Sequence, residues 1–181
     1  NVSAEEKGPF TGEISAVQLK NLGIGYVLVG HSERRTLGEG DKFINKKLGQ
    51  CAAQGLQPIL CVGYGTTKSM SNSRVKNIIS AQLKAALAGV KFVQGGLTIA
   101  YEPVWAISKG PGTAIPVAPD HAAEISEFIK EKYPSARVIY GGSVTAKSAP
   151  DLAKYKVIEG GLPGGASLNA QEFLSIIKAF I

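Results

Sequence analysis

A single carboxylate stands where an apolar run of the chain meets a proline. Residues 97–101 read LTIAY, a composition typical of a buried strand, and Glu102 and Pro103 follow at once. Seven residues after Glu102, residues 109–113 read KGPGT, which favours a loop able to close over the carboxylate. A carboxylate at the end of a strand beneath such a loop is the arrangement of a gated general base. The same segment also fits a glutamate that only caps a strand before a turn.

The second group with chemical potential is an imidazole that follows the first predicted strand. His31 is succeeded by a hydroxyl, a carboxylate and two guanidinium groups, those of Ser32, Glu33, Arg34 and Arg35. These neighbours indicate an imidazole held by ion pairs, which could polarise a substrate carbonyl. A histidine with a purely structural role would fit the same residues.

Two pairs of adjacent glycines follow the last two predicted strands. Residues 140–144 read YGGSV, where the glycines let the backbone approach a ligand and Ser143 supplies a donor. Gly164 and Gly165 offer bare amides that could start a short helix, and such an N-terminus binds phosphate. Each pair alone is equally typical of a tight turn. Their place after the last strands of a βα series favours a phosphate site, since barrel phosphate sites lie there.

Short β-branched runs alternate with longer amphipathic patterns along the chain, which predicts an α/β fold in one domain over residues 1–181. The predicted strands are mostly continuous apolar runs, as in parallel strands covered on both faces. Ser15 and Gln18 predict a capping box, and Asp41 a further helix cap. The predicted strands are residues 25–29, 58–62, 97–100, 137–140 and 157–160, and the predicted helices are 15–22, 41–55, 74–87, 120–133, 146–155 and 169–180.

Composition limits the class of protein. Hydrophobic residues make up 44% of the 181 residues, and no apolar run approaches the ~18 residues of a membrane span. The net charge of +6 suits an anionic partner, but the basic residues are scattered, as on any soluble surface. Cys51 and Cys61 form no CxxC pair, which fits a reducing compartment. Because the chain opens at Asn1 without a methionine, we expect a processed chain or a fragment.

Taken together, these motifs resemble the triosephosphate isomerase family, from its third βα loop to its C-terminus. The order and spacing of the matches cover essentially the whole chain. The resemblance implies a TIM (β/α)8 barrel of which only about the last five βα units are present. The matching runs are GHSERR at residues 30–35, AYEPVWAI at 100–107, YGGSV at 140–144 and GGASL at 164–168, and FTGEIS at 10–15 resembles the family's subunit-contact loop.

The resemblance also implies an activity, the interconversion of D-glyceraldehyde 3-phosphate and dihydroxyacetone phosphate through an enediolate. Glu102 would be the catalytic base and His31 a neutral electrophile, the pairing for which this family is itself the standard example. It implies a cytoplasmic homodimer acting in glycolysis and gluconeogenesis, with no metal or organic cofactor and no nucleic-acid or membrane partner. The resemblance implies phosphate binding by Ser143, Gly164, Gly165 and an amide near Ser108. It also implies a supporting or proton-relay carboxylate at Glu33 with Ser32 beside His31, a dimer loop at Phe10, Thr11 and Gly12, and a closing lid over residues 105–113.

The chain departs from the family pattern at several positions. No residue matches the Asn-x-Lys motif that ends the family's first strand, whose lysine contacts the substrate anion. Tyr64 stands where the family has a glutamate after Cys-Val-Gly. Pro111 fixes φ within the lid, and Pro163 removes an N–H beside the second glycine pair.

Three hypotheses follow from the residues and the departures. The first is an active isomerase whose N-terminal part lies in the complete polypeptide or in a partner chain. The second is a truncated, catalytically impaired relative with a structural or interaction role, which Tyr64, Pro163 and the unmatched lysine motif favour. The third is another phosphate-binding (β/α)8 enzyme, which the motifs around Glu102 and His31 disfavour.

Three further side chains are predicted to be structural. Trp105 is expected to anchor the hinge of the lid in apolar contacts, and Cys61 to pack in the core. His121 follows Asp120 at a predicted helix start and is expected to lie on the surface.

Overall fold

The computed structural model describes residues 1–107 and 117–181 of the chain. Strands and helices alternate along them, with two additional 3₁₀ helices at Val104–Ala106 and Gly165–Leu168. The elements are α1 (Ala16–Asn21), β1 (Tyr26–Val29), α2 (Ser32–Thr36), α3 (Asp41–Ala53), β2 (Gln57–Val62), α4 (Asn72–Ala86), β3 (Thr98–Tyr101), α5 (Pro119–Lys132), β4 (Arg137–Tyr140), α6 (Ala149–Ala153) and α7 (Ala170–Ala179).

The four strands form one parallel sheet in the order β1-β2-β3-β4. The register pairs Val29 with Leu60, Cys61 with Ala100, and Tyr101 with Tyr140. Because the strands are parallel and adjacent in chain order, all four carboxyl ends lie at one edge of the sheet. The predicted α/β class with parallel strands is confirmed.

The prediction of a fifth strand at residues 157–160 is wrong. Residues 157–160 follow β4 and make backbone hydrogen bonds with it, from Glu159 N to Val138 O at 2.8 Å and from Tyr140 N to Gly160 O at 3.0 Å. Within the described residues, the one bridge that this segment makes to β4 is an isolated parallel pair of Tyr140 with Gly161, one residue past the predicted strand. Gly160 and Gly161 supply no side chains to pack, and Pro163 cannot donate to a ladder, so pairing stops after one bridge. Of the five expected βα units, the described residues therefore contain four strands.

Helix starts follow from local capping, with one correction. Ser15 and Gln18 form the predicted capping box at α1, and Asn169 accepts a hydrogen bond from Glu172 N at α7. Asp41 is not a cap, because Gly40 takes that position in α3. The Asp41 carboxylate instead accepts a hydrogen bond from Arg35 Nη1 at 2.7 Å. The sequence pattern missed α2, since five residues are too few to show a helical period.

Side chains alternate between the two faces of the sheet, and the faces differ in what covers them. On one face, strand residues such as Val29, Leu60, Ile99 and Val138 pack with helix residues into the main core. On the other face Cys61, Ala100 and Ile139 form a smaller cluster. Tyr101 belongs to the main core, so the next residue, Glu102, points to the face of the smaller cluster. The helix residues at the centre of the main core are Ile44 and Leu48 of α3, Ile79 and Leu83 of α4, and Ile125 and Ile129 of α5.

The backbones of β2, β3 and β4 stay in contact one residue beyond their last ladder pair. Glu102 N donates to Val62 O at 2.7 Å, and Gly141 N donates to Tyr101 O at 2.7 Å. Gly63 lies so close that a Cβ there would be 2.6 Å from the Glu102 carbonyl oxygen, and its φ is +115°. The glycine is therefore required both by its conformation and by the approach of β3.

We expect Gly63→Ala to destabilise the fold more than Gly65→Ala. Both glycines have positive φ, which costs about 1–2 kcal/mol for an L-residue, but a Cβ at Gly65 would meet nothing within 4 Å. Gly63→Ala adds the collision with the Glu102 carbonyl. Urea unfolding of the two variants measures the difference, and equal losses of unfolding free energy would show that the close approach to β3 is unimportant.

Candidate functional site

Glu102 is a buried carboxylate at the carboxyl end of β3. The residue is 3% exposed. Its Oε2 accepts a hydrogen bond from Ser32 N at 3.0 Å, and its Oε1 accepts one from Ser32 Oγ at 3.1 Å. His31 Nε2 lies 2.8 Å from Oε1. Burial of an ionised carboxylate requires such partners, so Glu102 is held in place by His31 and Ser32 at the start of α2.

His31 is the N-cap of α2, and this position selects its tautomer. Its Nδ1 accepts a hydrogen bond from Glu33 N at 3.3 Å, as the side chain of an N-cap residue does. An accepting Nδ1 carries no proton, so neutral His31 has its proton on Nε2. That N–H is directed at Oε1 of Glu102.

The pKa of His31 is raised above its ordinary value of 6.5. The largest cause is the hydrogen bond to Glu102, and the charges of Glu102 and Glu33 act in the same direction. Burial of the ring opposes them by lowering the pKa. The Glu102 carboxylate therefore favours the imidazolium, while the amide of Glu33 favours the neutral ring.

The charged residues after His31 support the helix rather than the imidazole. The Glu33 side chain is 87% exposed, and its Oε2 is 3.8 Å from His31 Nδ1. Arg34 pairs with Glu39 at 2.6 Å, and Arg35 pairs with Asp41 at 2.7 Å while its Nε donates to Gly30 O. The expected ion pairs are present, but the arginines pin α2 to the start of α3 and do not hold the ring.

The predicted phosphate-binding residues fall into three groups. Ser143 follows β4 and is partly buried, while Gly164 and Gly165 are exposed at the start of the second 3₁₀ helix. Leu162 N donates to Tyr140 O at 2.8 Å, which ties the segment before Gly164 to the end of β4. Both glycine loops therefore leave the sheet at the edge that carries Glu102. Ser108 and residues 109–113 of the expected lid lie outside the described residues.

The sequence reasoning missed Gln82, a buried residue of α4. Its Oε1 accepts a hydrogen bond from Gly63 N at 2.8 Å, and its Nε2 donates to Tyr64 O at 2.8 Å. Gln82 thus holds the loop that presses against the Glu102 carbonyl. One signal in the sequence could have revealed it. Gln82 lies beside Leu83 on the apolar face of α4, and a side-chain amide buried there must make hydrogen bonds.

His121, predicted to lie on the surface, is half-buried and hydrogen-bonded at both ring nitrogens. Its Nε2 is 3.0 Å from the Tyr101 hydroxyl, and its Nδ1 is 2.9 Å from Asn72 Oδ1. The Trp105 ring lies near it, with centroids 6.4 Å apart. A helix start was identified correctly, but no local pattern could show that this turn of α5 packs over the end of β3.

The two cysteines are buried thiols and not activated nucleophiles. Cys51 and Cys61 are buried and free, and burial raises the pKa of Cys51 to about 11 and that of Cys61 well above its usual range. Cys61 therefore packs in the core, as expected. Over residues 1–107 and 117–181, no three His, Cys, Asp or Glu side chains are grouped to hold a metal ion. No helix in the same residues is long and apolar enough to cross a membrane.

Comparison with known proteins decides the family. The family model described as triosephosphate isomerase matches residues 1–180. The chain belongs to the triosephosphate isomerase family. The protein named triosephosphate isomerase from Endomicrobium trichonymphae is 43% identical, over 98% of this chain and 73% of the relative. Those of the same name from Aquifex aeolicus and Nitrosomonas europaea are 41% and 42% identical, each over 99% of this chain and 74% and 73% of the relative.

The membership confirms the resemblance drawn from the four motifs. A parallel sheet with alternating helices agrees with the fold of a TIM-type α/β protein. The motif at residues 100–107 and that at 30–35 meet in space, although about seventy residues separate Glu102 from His31 along the chain.

We expect Glu102→Gln to lower the pKa of His31. The substitution removes the carboxylate charge and the hydrogen bond that raise this pKa, while the opposing effect of burial remains. A raised pKa in the folded state stabilises the fold below pH 6.5, and that contribution is lost as the pH rises through the raised pKa. The stability lost in Glu102→Gln should therefore be larger below pH 6.5 than above the raised pKa.

Imidazole NMR signals followed against pH measure the first effect, and urea unfolding at several pH values measures the second. Glu127→Gln is the matched control, since it makes the same change at an exposed position of α5. An unchanged His31 titration in Glu102→Gln would contradict the pairing of the two side chains.

Proposed function

We propose that this protein interconverts D-glyceraldehyde 3-phosphate and dihydroxyacetone phosphate, with Glu102 as the base and His31 as the electrophile. The observation that carries the proposal is the 2.8 Å approach of His31 Nε2 to the buried carboxylate of Glu102 at the carboxyl edge of the sheet. Membership of the triosephosphate isomerase family supplies the substrate class. A purely structural role gives no reason to bury a carboxylate at the carboxyl edge of the sheet against an imidazole that can turn its N–H to a substrate.

The proposed reaction moves one proton between neighbouring carbons. Glu102 removes a proton from the carbon next to the substrate carbonyl, and an enediolate forms. The N–H at His31 Nε2 donates to the oxygen on which negative charge develops. Glu102 then returns the proton to the adjacent carbon. In the same steps the hydroxyl proton passes from one substrate oxygen to the other, with His31 Nε2 giving one proton and taking the other, so no co-reactant is required. Burial of Glu102 keeps water away from the reacting atoms.

Substrate binding must loosen the resting hydrogen bonds of Glu102. In the structure both His31 and Ser32 donate to its carboxylate. When a substrate oxygen accepts from His31 Nε2, the carboxylate loses that partner and faces the carbon it must deprotonate. Ser32 remains a donor through its amide, because this bond depends only on the position of α2.

The substrate phosphate, in this proposal, lies against the two loops that follow β4. The hydroxyl of Ser143 and the amides of Gly164 and Gly165 are donors, and an amide near Ser108 would be a fourth. The support for this assignment is that both loops leave the same edge of the sheet as Glu102. The chain charge of +6 favours an anionic substrate in general.

Glu102→Gln should reduce isomerase turnover by at least the ~10²–10⁴ attributed to a positioned acid–base group. The amide keeps the shape of the side chain but cannot accept the proton. A coupled assay of both triose phosphates measures the effect. The control Glu127→Gln, at an exposed position of α5, should retain wild-type turnover. If Glu102→Gln also retained it, Glu102 would not be the base.

We further propose a homodimer that uses the loop of Phe10, Thr11 and Gly12. The support is the exposure of apolar side chains in this segment, 45% for Phe10 and 52% for Ile14. A cytoplasmic location is proposed from the two free, buried cysteines, which fit a reducing compartment.

Phe10→Asp should shift the protein from dimer to monomer, because a carboxylate at the centre of an apolar interface would be buried without a partner. Sedimentation velocity measures the change. Val93→Asp is the matched control, since Val93 is 82% exposed on a different loop, before β3. An unaltered sedimentation coefficient for Phe10→Asp, equal to that of Val93→Asp, would refute the assigned interface.

A further inference from the structure

A chain of hydrogen bonds runs from the end of β3 to the surface between α4 and α5. The hydroxyl of Tyr101 meets His121 Nε2 at 3.0 Å, and His121 Nδ1 meets Asn72 Oδ1 at 2.9 Å. Asn72 Nδ2 donates to Glu124 Oε2, and Lys76 Nζ donates to Glu124 Oε1 at 2.6 Å. Neither the proposed chemistry nor the phosphate loops use any of these side chains.

The donor and the acceptor of each hydrogen bond in this network follow from Glu124, at the surface end. The pKa of Glu124 is lowered, chiefly by its hydrogen bond with Lys76, so the carboxylate is ionised and can only accept. Asn72 must therefore turn its NH2 group to Glu124 and its oxygen to His121. The proton of neutral His121 then lies on Nδ1, and Nε2 is left to accept from the Tyr101 hydroxyl. Burial raises the pKa of Tyr101, which keeps this hydroxyl protonated.

Tyr101 connects the hydrogen bond with His121 to the position of Glu102. The residue is fully buried and directly precedes Glu102, with its side chain on the opposite face of the strand. Its ring packs edge-on against Tyr140, with centroids 6.2 Å apart, and a Cβ on Gly63 would lie 3.3 Å from it. Tyr101 and Glu102 are joined by one peptide bond. When the Tyr101 side chain is fixed, the rotation of the strand end is fixed too, and with it the direction of the Glu102 carboxylate.

His121 also contacts the chain on the other side of Glu102. The Trp105 ring, three residues after the carboxylate, lies 6.4 Å from the imidazole between centroids. One side chain of α5 thus touches the residue before Glu102 and the 3₁₀ helix after it. Burial lowers the pKa of His121, against a smaller opposing effect of Glu124, which keeps the ring neutral near neutral pH.

We propose that His121 is a positioning residue for Glu102, acting through the hydroxyl of Tyr101 and held in one tautomer by Asn72 and Glu124. The effect on turnover rests on the proposed isomerase function. The effect on the position of Glu102 does not rest on that function, because the contact of Glu102 with His31 can be followed without substrate through the titration of His31.

The test uses the titration of His31 as a local probe of Glu102. The chain contains two histidines, so the second imidazole signal is assigned by its absence from a His121 variant. His121→Leu removes both hydrogen bonds, whereas His121→Gln keeps one donor and one acceptor on a neutral side chain. In His121→Leu we expect the pKa of His31 to fall toward 6.5, because the hydrogen bond that His31 donates to Glu102 is the largest cause of the raised pKa.

Kinetics provide the second readout. His121→Leu should lower kcat about ten-fold, the scale of a misaligned catalytic group, with KM changed less than about two-fold. His121→Gln should restore both the kcat and the His31 titration. Leu48→Ala, a buried core change in α3 outside this hydrogen-bond network, should lower stability without moving either quantity.

The outcomes separate the inference from the proposed function. If His121→Leu leaves the His31 titration and kcat unchanged, His121 is merely structural and the inference fails. If the wild-type protein does not isomerise triose phosphates but the titration still responds to His121, the positioning role stands and the proposed function fails. Should His121→Leu not fold, Tyr101→Phe removes only the hydroxyl and must lower the His31 pKa, or the inference fails.

Discussion

The burial of one carboxylate determines the arrangement around it. An ionised glutamate removed from water costs several kcal/mol unless hydrogen-bond donors replace its hydration. Glu102 meets this requirement with His31 and with the amide and hydroxyl of Ser32. The start of α2 must therefore lie against the end of β3. The ion pairs of Arg34 and Arg35 hold α2 there, although neither arginine contacts the site.

The two histidines near Glu102 have opposite neutral tautomers for the same physical reason. Each is set by a neighbour whose role cannot change. The backbone amide of Glu33 can only donate, so His31 Nδ1 accepts and Nε2 carries the proton. The oxygen of Asn72 can only accept, so His121 Nδ1 carries the proton and Nε2 accepts. One imidazole is thus left with a donor toward Glu102, and the other with an acceptor toward Tyr101.

Close backbone packing at the sheet edge completes the restraint on Glu102. Gly63 has no side chain, so the loop after β2 can press on the Glu102 carbonyl, and Gln82 holds that loop through two hydrogen bonds. Val62 O accepts from the Glu102 amide on the same side. The position of the carboxylate therefore depends on β2 and α4 as much as on its own strand.

The sequence by itself determined the family, the α/β class and four of the five predicted strands, and it singled out Glu102 and His31 as candidate site residues. These features depend on local composition and on motifs whose residues are neighbours in the chain. The tertiary structure alone decided that Gly161, one residue past the predicted fifth strand, forms an isolated bridge to β4, that Glu102 meets His31, that Gln82 holds the loop at Gly63, and that His121 is joined to Tyr101. Such contacts join residues about twenty or more positions apart, and a hydrogen bond of this kind is set by how helices pack on the sheet. A periodic pattern in one segment carries no information about its partner in another.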